Sequence, residues 1–85
     1  MTKTITVRYF ASIREAMGTG EETWATTAPT VAALRQELAG RSAQAALALA
    51  DHQPVRLALN QAMCPPDAPI APGDEVAFFP PVTGG

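Results

Sequence analysis

A chain of 85 residues has room for one small domain, and at that size it buries only roughly 60–65% of its unfolded surface, so the core must be well made. Its formal net charge is −2 and its basic residues (Lys3, Arg8, Arg14, Arg35, Arg41, Arg56) are scattered, which argues against nucleic-acid partners, whose phosphates call for clustered Lys and Arg. The single cysteine, Cys64, excludes an internal disulfide and no Cys/His cluster offers a zinc site; with no signal-peptide pattern and no long apolar run, the expectation is a cytoplasmic protein with no membrane association.

Residues 4–10 alternate at first, with Ile5, Val7 and Tyr9 on one side and Thr4, Thr6 and Arg8 on the other, which predicts a half-buried strand. Ser12 and Glu15 stand at capping-box spacing and predict a short helix that buries Ile13 and Met17 before Gly18 and Gly20 stop it. A second strand over 22–27, with Trp24 as its bulkiest member, completes a hairpin-like pair with the first. Thr30 is the expected N-cap of the main helix, whose buried stripe is Val31, Leu34 and Leu38, with Gly40 as its stop.

Residues 42–50 read as a further helical segment, closed by a turn at Asp51-His52-Gln53-Pro54. Alternation returns over 55–60 as a strand. The proline-rich stretch 65–72 reads as turn, with one short edge strand around Ile70. Pro72-Gly73 predicts a turn with Gly at positive φ, and 74–79 is the last strand. The order strand, strand, helix, strand, short element, strand is satisfied by an α+β β-grasp (ubiquitin-like) architecture. It has a mixed sheet, one main helix packed across one face, and the first and last strands side by side in the middle. The expected organisation is a domain over 1–80 and an extended tail over 81–85.

Two residues break the alternation. Phe10 falls in phase with the polar Thr4, Thr6 and Arg8, and Phe79 falls opposite Val76 and Phe78. Both therefore belong to the sheet face away from the helix, adjacent if the first and last strands pair. Clustered exposed aromatics point to a protein interface. The plainer alternative is two ordinary surface aromatics, or strand ends lying under loops.

Other chemical candidates are weaker. His52 sits in a polar turn with no neighbouring Asp, Ser or Cys, and Cys64 has no adjacent base or helix start to lower its pKa. The pairs Glu21-Glu22 and Asp74-Glu75 read as solvated charge, since adjacent strand residues point to opposite faces. Gly18-Thr19-Gly20 lacks the context of a phosphate loop. No catalytic constellation emerges from the body of the chain.

The C-terminal run differs. Pro80 and Pro81 lack the N–H that a ladder needs, so the strand must stop there. Gly84 and Gly85 carry no Cβ and suit a passage too narrow for other residues. Such a tail can deliver its terminal carboxylate into another protein's active site, whereas the default for a terminus is simple fraying.

The run Gly73 to Gly85, with Asp74-Glu75-Val76-Ala77-Phe78-Phe79-Pro80-Pro81-Val82-Thr83-Gly84-Gly85, resembles the terminal signature of the molybdopterin synthase small subunits, a family of ubiquitin-like sulfur carriers. Tyr9-Phe10-Ala11 with Ile13-Arg14-Glu15, Thr30-Val31-Ala32-Ala33-Leu34, and Leu59-Asn60-Gln61 are similar to other parts of it, while 41–54 is not diagnostic and 62–72 is looser than the family pattern. The resemblance implies that the Gly85 carboxylate is adenylated by an ATP-dependent, ubiquitin-activating-type adenylyltransferase and converted to a thiocarboxylate. The sulfur then passes to cyclic pyranopterin monophosphate in the active site of the large, catalytic subunit. It further implies that Pro80, Pro81, Val82, Thr83 and Gly84 form the inserted tail and that Phe10, Met63 and Phe79 form an apolar surface toward that subunit. No cofactor or metal is implied for this chain itself, which is a co-substrate more than an enzyme. Carriers for thiamine or tRNA thiolation and ubiquitin-like protein modifiers are the alternatives, and they match the Phe-Phe-Pro-Pro-Val-Thr run less well.

Overall fold

The computed structural model describes residues 2–50 and 54–80. Five strands, β1 (Lys3–Tyr9), β2 (Glu21–Thr26), β3 (Arg56–Leu59), β4 (Ala62–Met63) and β5 (Glu75–Phe79), form one sheet in the order β2-β1-β5-β3-β4. The central pair β1–β5 is parallel and the other pairings are antiparallel. This is the expected β-grasp, with the first and last strands neighbours in the middle.

Ile5, Val7 and Tyr9 from β1 and Val76 and Phe78 from β5 form the buried side of the sheet, each at most 1% exposed. Tyr9 and Phe78 lie in register and their rings stack with centroids 6.3 Å apart. Helix α2 (Val31–Ala39) supplies Val31, Leu34 and Leu38 to the same cluster. Two shorter helices, α1 (Ala11–Met17) and α3 (Ala43–Leu49), add Ile13 and Leu49.

Local chemistry explains where these helices begin. Thr30 caps α2 as expected, its Oγ1 accepting from Ala33 N–H, and Ser42 caps α3 in the same way through Ala45 N–H. Val31 and Ala32 N–H donate to the carbonyls of Ala68 and Pro66, so the proline-rich loop completes the capping of the main helix. That loop contains no strand around Ile70: Pro69 makes one isolated bridge to Thr30, and Ile70 is buried with its N–H on Pro29. The short strand is β4 instead, joined to β3 through Asn60 and Gln61, both at positive φ (52° and 70°) as a tight two-residue hairpin demands.

Two further expectations are corrected. The Ser12–Glu15 capping box does not form; Phe10 is the N-cap of α1, without a side-chain cap, because Phe10 is still tied to the sheet and leaves Ser12 inside the first turn. Gly40 ends α2 as expected, though at φ −79° and so without left-handed backbone, whereas Gly18 (φ 79°) and Gly73 (φ 84°) do use it. Glu22 is not free solvated charge: its Oε2 accepts from the buried Tyr9 hydroxyl at 2.7 Å and pairs with Arg41. Arg41 also stacks over Trp24, whose Nε1–H donates to Glu37 at 2.7 Å, and this network pins β2 to the end of α2.

Candidate docking face and tail root

Strand β5 stops at Phe79, and Pro80 follows as non-strand, half-buried backbone. The remaining residues assigned to the tail (Pro81, Val82, Thr83, Gly84 and Gly85) and the turn residue His52 lie outside the described residues. What the structure defines is the platform at the tail root.

Phe10 is fixed from two directions. Its N–H donates to Phe78 O at 3.2 Å, and its carbonyl accepts from Ile13 and Arg14 N–H at 3.1 and 3.3 Å. Directly after it the chain turns through Ala11 at φ 51°, a conformation that costs a non-glycine residue about 1–2 kcal/mol. The result places the Phe10 ring beside that of Phe79 on the face away from α2. The centroids are 6.0 Å apart and the planes perpendicular, the edge-to-face geometry that aromatic quadrupoles favour.

Register organises the rest of this open face into two rows. One runs as Arg56 on β3, Phe79 on β5 and Phe10 just past the end of β1; the next runs as Met63, Ala58, Ala77, Arg8 and Glu21. Ala58 and Ala77 are small and buried, giving a low floor, while Phe10 and Met63 stand 39% and 59% exposed above it. Thus Phe10, Met63 and Phe79 share one face of the sheet. Phase alone put Ala77 and Arg8 on this side, but that they join Ala58 and Arg56 in one surface was not anticipated. Their signal was available in the alternation of residues 56–58 and 75–79, but strand pairing alone says which of them meet.

Arg8 lies over the Phe10 ring, 5.2 Å from its centroid, and its Nε sits 3.4 Å from Glu21 Oε1. That Nε is buried and makes no hydrogen bond, so the contact is an ion pair by distance without hydrogen-bond alignment. Arg14 is exposed and packs its side chain along Gly20, where a Cβ would meet Nε at 3.2 Å. Cys64 is half-buried against the core, and burial pushes its thiol pKa up, which disfavours the thiolate a nucleophile needs. Among the described residues no group of three or more His, Cys, Asp or Glu could hold a metal ion, and no helix is long and apolar enough to cross a membrane.

On the helix side of the tail root, Pro80 forms one wall of an open groove of about 360 Å³ with Ile13, Ala16, Leu47, Ala48 and Val55. Leu47 is 71% exposed, so apolar surface flanks Pro80 on this side as well.

The family model described as "ThiS family" matches residues 7–85. The chain belongs to the ThiS family. As a ThiS-family protein it is 51% identical, over 95% of its length and 99% of the relative's, to the molybdopterin synthase sulfur carrier subunit of Escherichia coli (strain K12). Among solved structures it is similar to the HVO 2177 protein of Haloferax volcanii, with a TM-score of 0.83 at 27% identity over 99% of this chain and 88% of that one. It is also similar to a chain in the complex of subunits 1 and 2 of molybdopterin-converting factor from Helicobacter pylori 26695. There the TM-score is 0.61 at 26% identity, covering 96% of this chain and 99% of that one.

Proposed function

We propose that this ThiS-family chain is the sulfur carrier subunit of molybdopterin synthase and that its chemistry resides in the Gly85 carboxylate. The observation that carries the reading is the 51% identity to the E. coli sulfur carrier subunit across nearly the full length of both chains. The paired Phe10 and Phe79 beside the tail root support it, since a carrier must be held while its end reacts.

In this reading an ATP-dependent adenylyltransferase joins the Gly85 carboxylate to AMP with loss of pyrophosphate. A sulfur nucleophile displaces AMP and leaves a thiocarboxylate. The large subunit takes up Val82, Thr83, Gly84 and Gly85 behind the Pro80-Pro81 step and passes the sulfur to cyclic pyranopterin monophosphate; water restores the carboxylate. The globular body contributes position: docking through Phe10, Met63 and Phe79 makes the transfer effectively intramolecular. The cytoplasm is the compartment where these partners would be met.

Intact mass after incubation with the activating enzyme, ATP and a sulfur source tests this. The expected product gains one sulfur in place of one oxygen. Higher-mass conjugates to lysines would replace the carrier reading with that of a protein modifier, and an unchanged mass would leave only a binding module.

A further inference from the structure

The open face bears more than apolar surface. Arg56 stands directly opposite Phe79 in the β3–β5 register and is exposed, and its guanidinium has no ion pair or hydrogen bond with any described residue. Among the described residues, the carboxylates of this face are elsewhere. Glu21 accompanies Arg8 at the far end of the second row, and Glu75 pairs with Thr6 at the start of β5, four residues or roughly 13 Å along the strand from Phe79. A chain of net charge −2 therefore places beside the aromatic pair at its tail root a cation that no carboxylate among the described residues compensates.

That arrangement constrains what can cover it. A partner that buries Phe79 also covers the stem of Arg56, and stripping water from a guanidinium without supplying an acceptor is costly. Phe10 already has Arg8 over it, and that guanidinium is paired with Glu21, which leaves Arg56 as the one in need of a carboxylate at the other end of the aromatic row. We infer that the open face recognises an acidic protein surface, in which a carboxylate side chain of the molybdopterin synthase large subunit meets Arg56 while apolar side chains cover Phe10 and Phe79. This rests on the docking role proposed above and adds the charge of the partner to it. Opposite charge at such an edge acts on the association rate and on the choice of partner, and it weakens with salt.

The test measures the dissociation constant of the large subunit from the same source for the parent chain, Arg56→Gln, Arg56→Glu and Phe79→Asp, at low and at high salt. Circular dichroism verifies that each variant is folded. Arg56→Glu is expected to weaken binding by about tenfold or more at low salt, with Arg56→Gln between it and the parent and less dependent on salt. If both Arg56 variants bind as tightly as the parent while Phe79→Asp loses binding, the docking face stands and the acidic partner surface is wrong. Should Phe79→Asp and the Arg56 variants all bind normally, the docking role itself fails. If instead the chain self-associates and Arg56→Glu disperses it without affecting the large subunit, the carboxylate belongs to a second copy and the inference is overturned.

Discussion

The edge-to-face contact of Phe10 with Phe79 joins the end of the first strand to the end of the last, on the side of the sheet that the helices leave uncovered. Both rings are held by backbone register and not by a core, so they can serve a partner without endangering the fold. Phe79→Lys should therefore weaken binding to the large subunit by about 2 kcal/mol, near thirtyfold, while the edge-to-face pair costs the free domain only about 1 kcal/mol. Titration calorimetry and thermal melts of the same variant separate the two effects; unchanged affinity would remove Phe79 from the interface.

The tail is expected to be separable from the domain. Removing Gly85, or replacing Gly84 with Leu, should abolish sulfur transfer to cyclic pyranopterin monophosphate, because the reacting carboxylate is displaced or blocked. The far-UV spectrum and urea midpoint should match those of the parent. A loss of stability in either variant would show that these glycines contribute to the fold.

Leu34 is fully buried at the centre of the cluster formed by α2 and the sheet. Leu34→Ala should cost on the order of 3 kcal/mol, a large share of the stability a domain this small possesses. Urea unfolding would read this as a lower midpoint with a similar slope, and a cost under about 1 kcal/mol would mean the core collapses onto the gap.

The hairpin loop carries a local cost that one substitution can relieve. Gln61 has φ 70° where a two-residue loop of this kind favours glycine, and its side chain is exposed. Gln61→Gly should stabilise the domain by about 0.5–1 kcal/mol after the extra chain entropy of glycine is subtracted. Asn60 is different: its amide oxygen accepts from Glu75 N–H at 2.9 Å and its amide nitrogen donates to Asp74 at 3.1 Å. Asn60→Gly should lose about 1 kcal/mol or more in the same assay.

Alkaline pH should reveal the buried phenol. Burial, and then the hydrogen bond to Glu22 and its charge, raise the Tyr9 pKa well above its ordinary value. The folded state thus holds that proton more tightly than the unfolded chain does. The contribution is complete below the ordinary tyrosine pKa of about 10 and is lost as pH climbs through the raised folded value. Stability measured against pH should fall above about 10, and more steeply for the parent than for Tyr9→Phe.

How much of this was legible beforehand follows from the range of the forces involved. Strand alternation placed Ile5, Val7, Tyr9, Val76 and Phe78 on the buried side, and the spacing of Val31, Leu34 and Leu38 marked the core stripe of α2, because period and burial are written residue by residue. Thr30 announced its helix, since a cap bonds only three residues ahead; the same role of Ser42 in α3 was equally local but was not drawn from the sequence. Ser12 misled because its own backbone had the right neighbours while Phe10, tied to Phe78 across the sheet, had already started the helix.

Local pattern also decided that Phe10 and Phe79 leave the core and that Pro80 ends the last strand, as these depend on phase and on a missing N–H. Tertiary structure alone decided who stands next to whom. It set Arg56 beside Phe79, laid Ala58 and Ala77 as the floor between Met63 and Arg8, and drew Glu22 onto Tyr9 and Arg41. Such contacts join residues far apart along the chain, and their existence depends on which strands pair and in which register, which no single segment encodes.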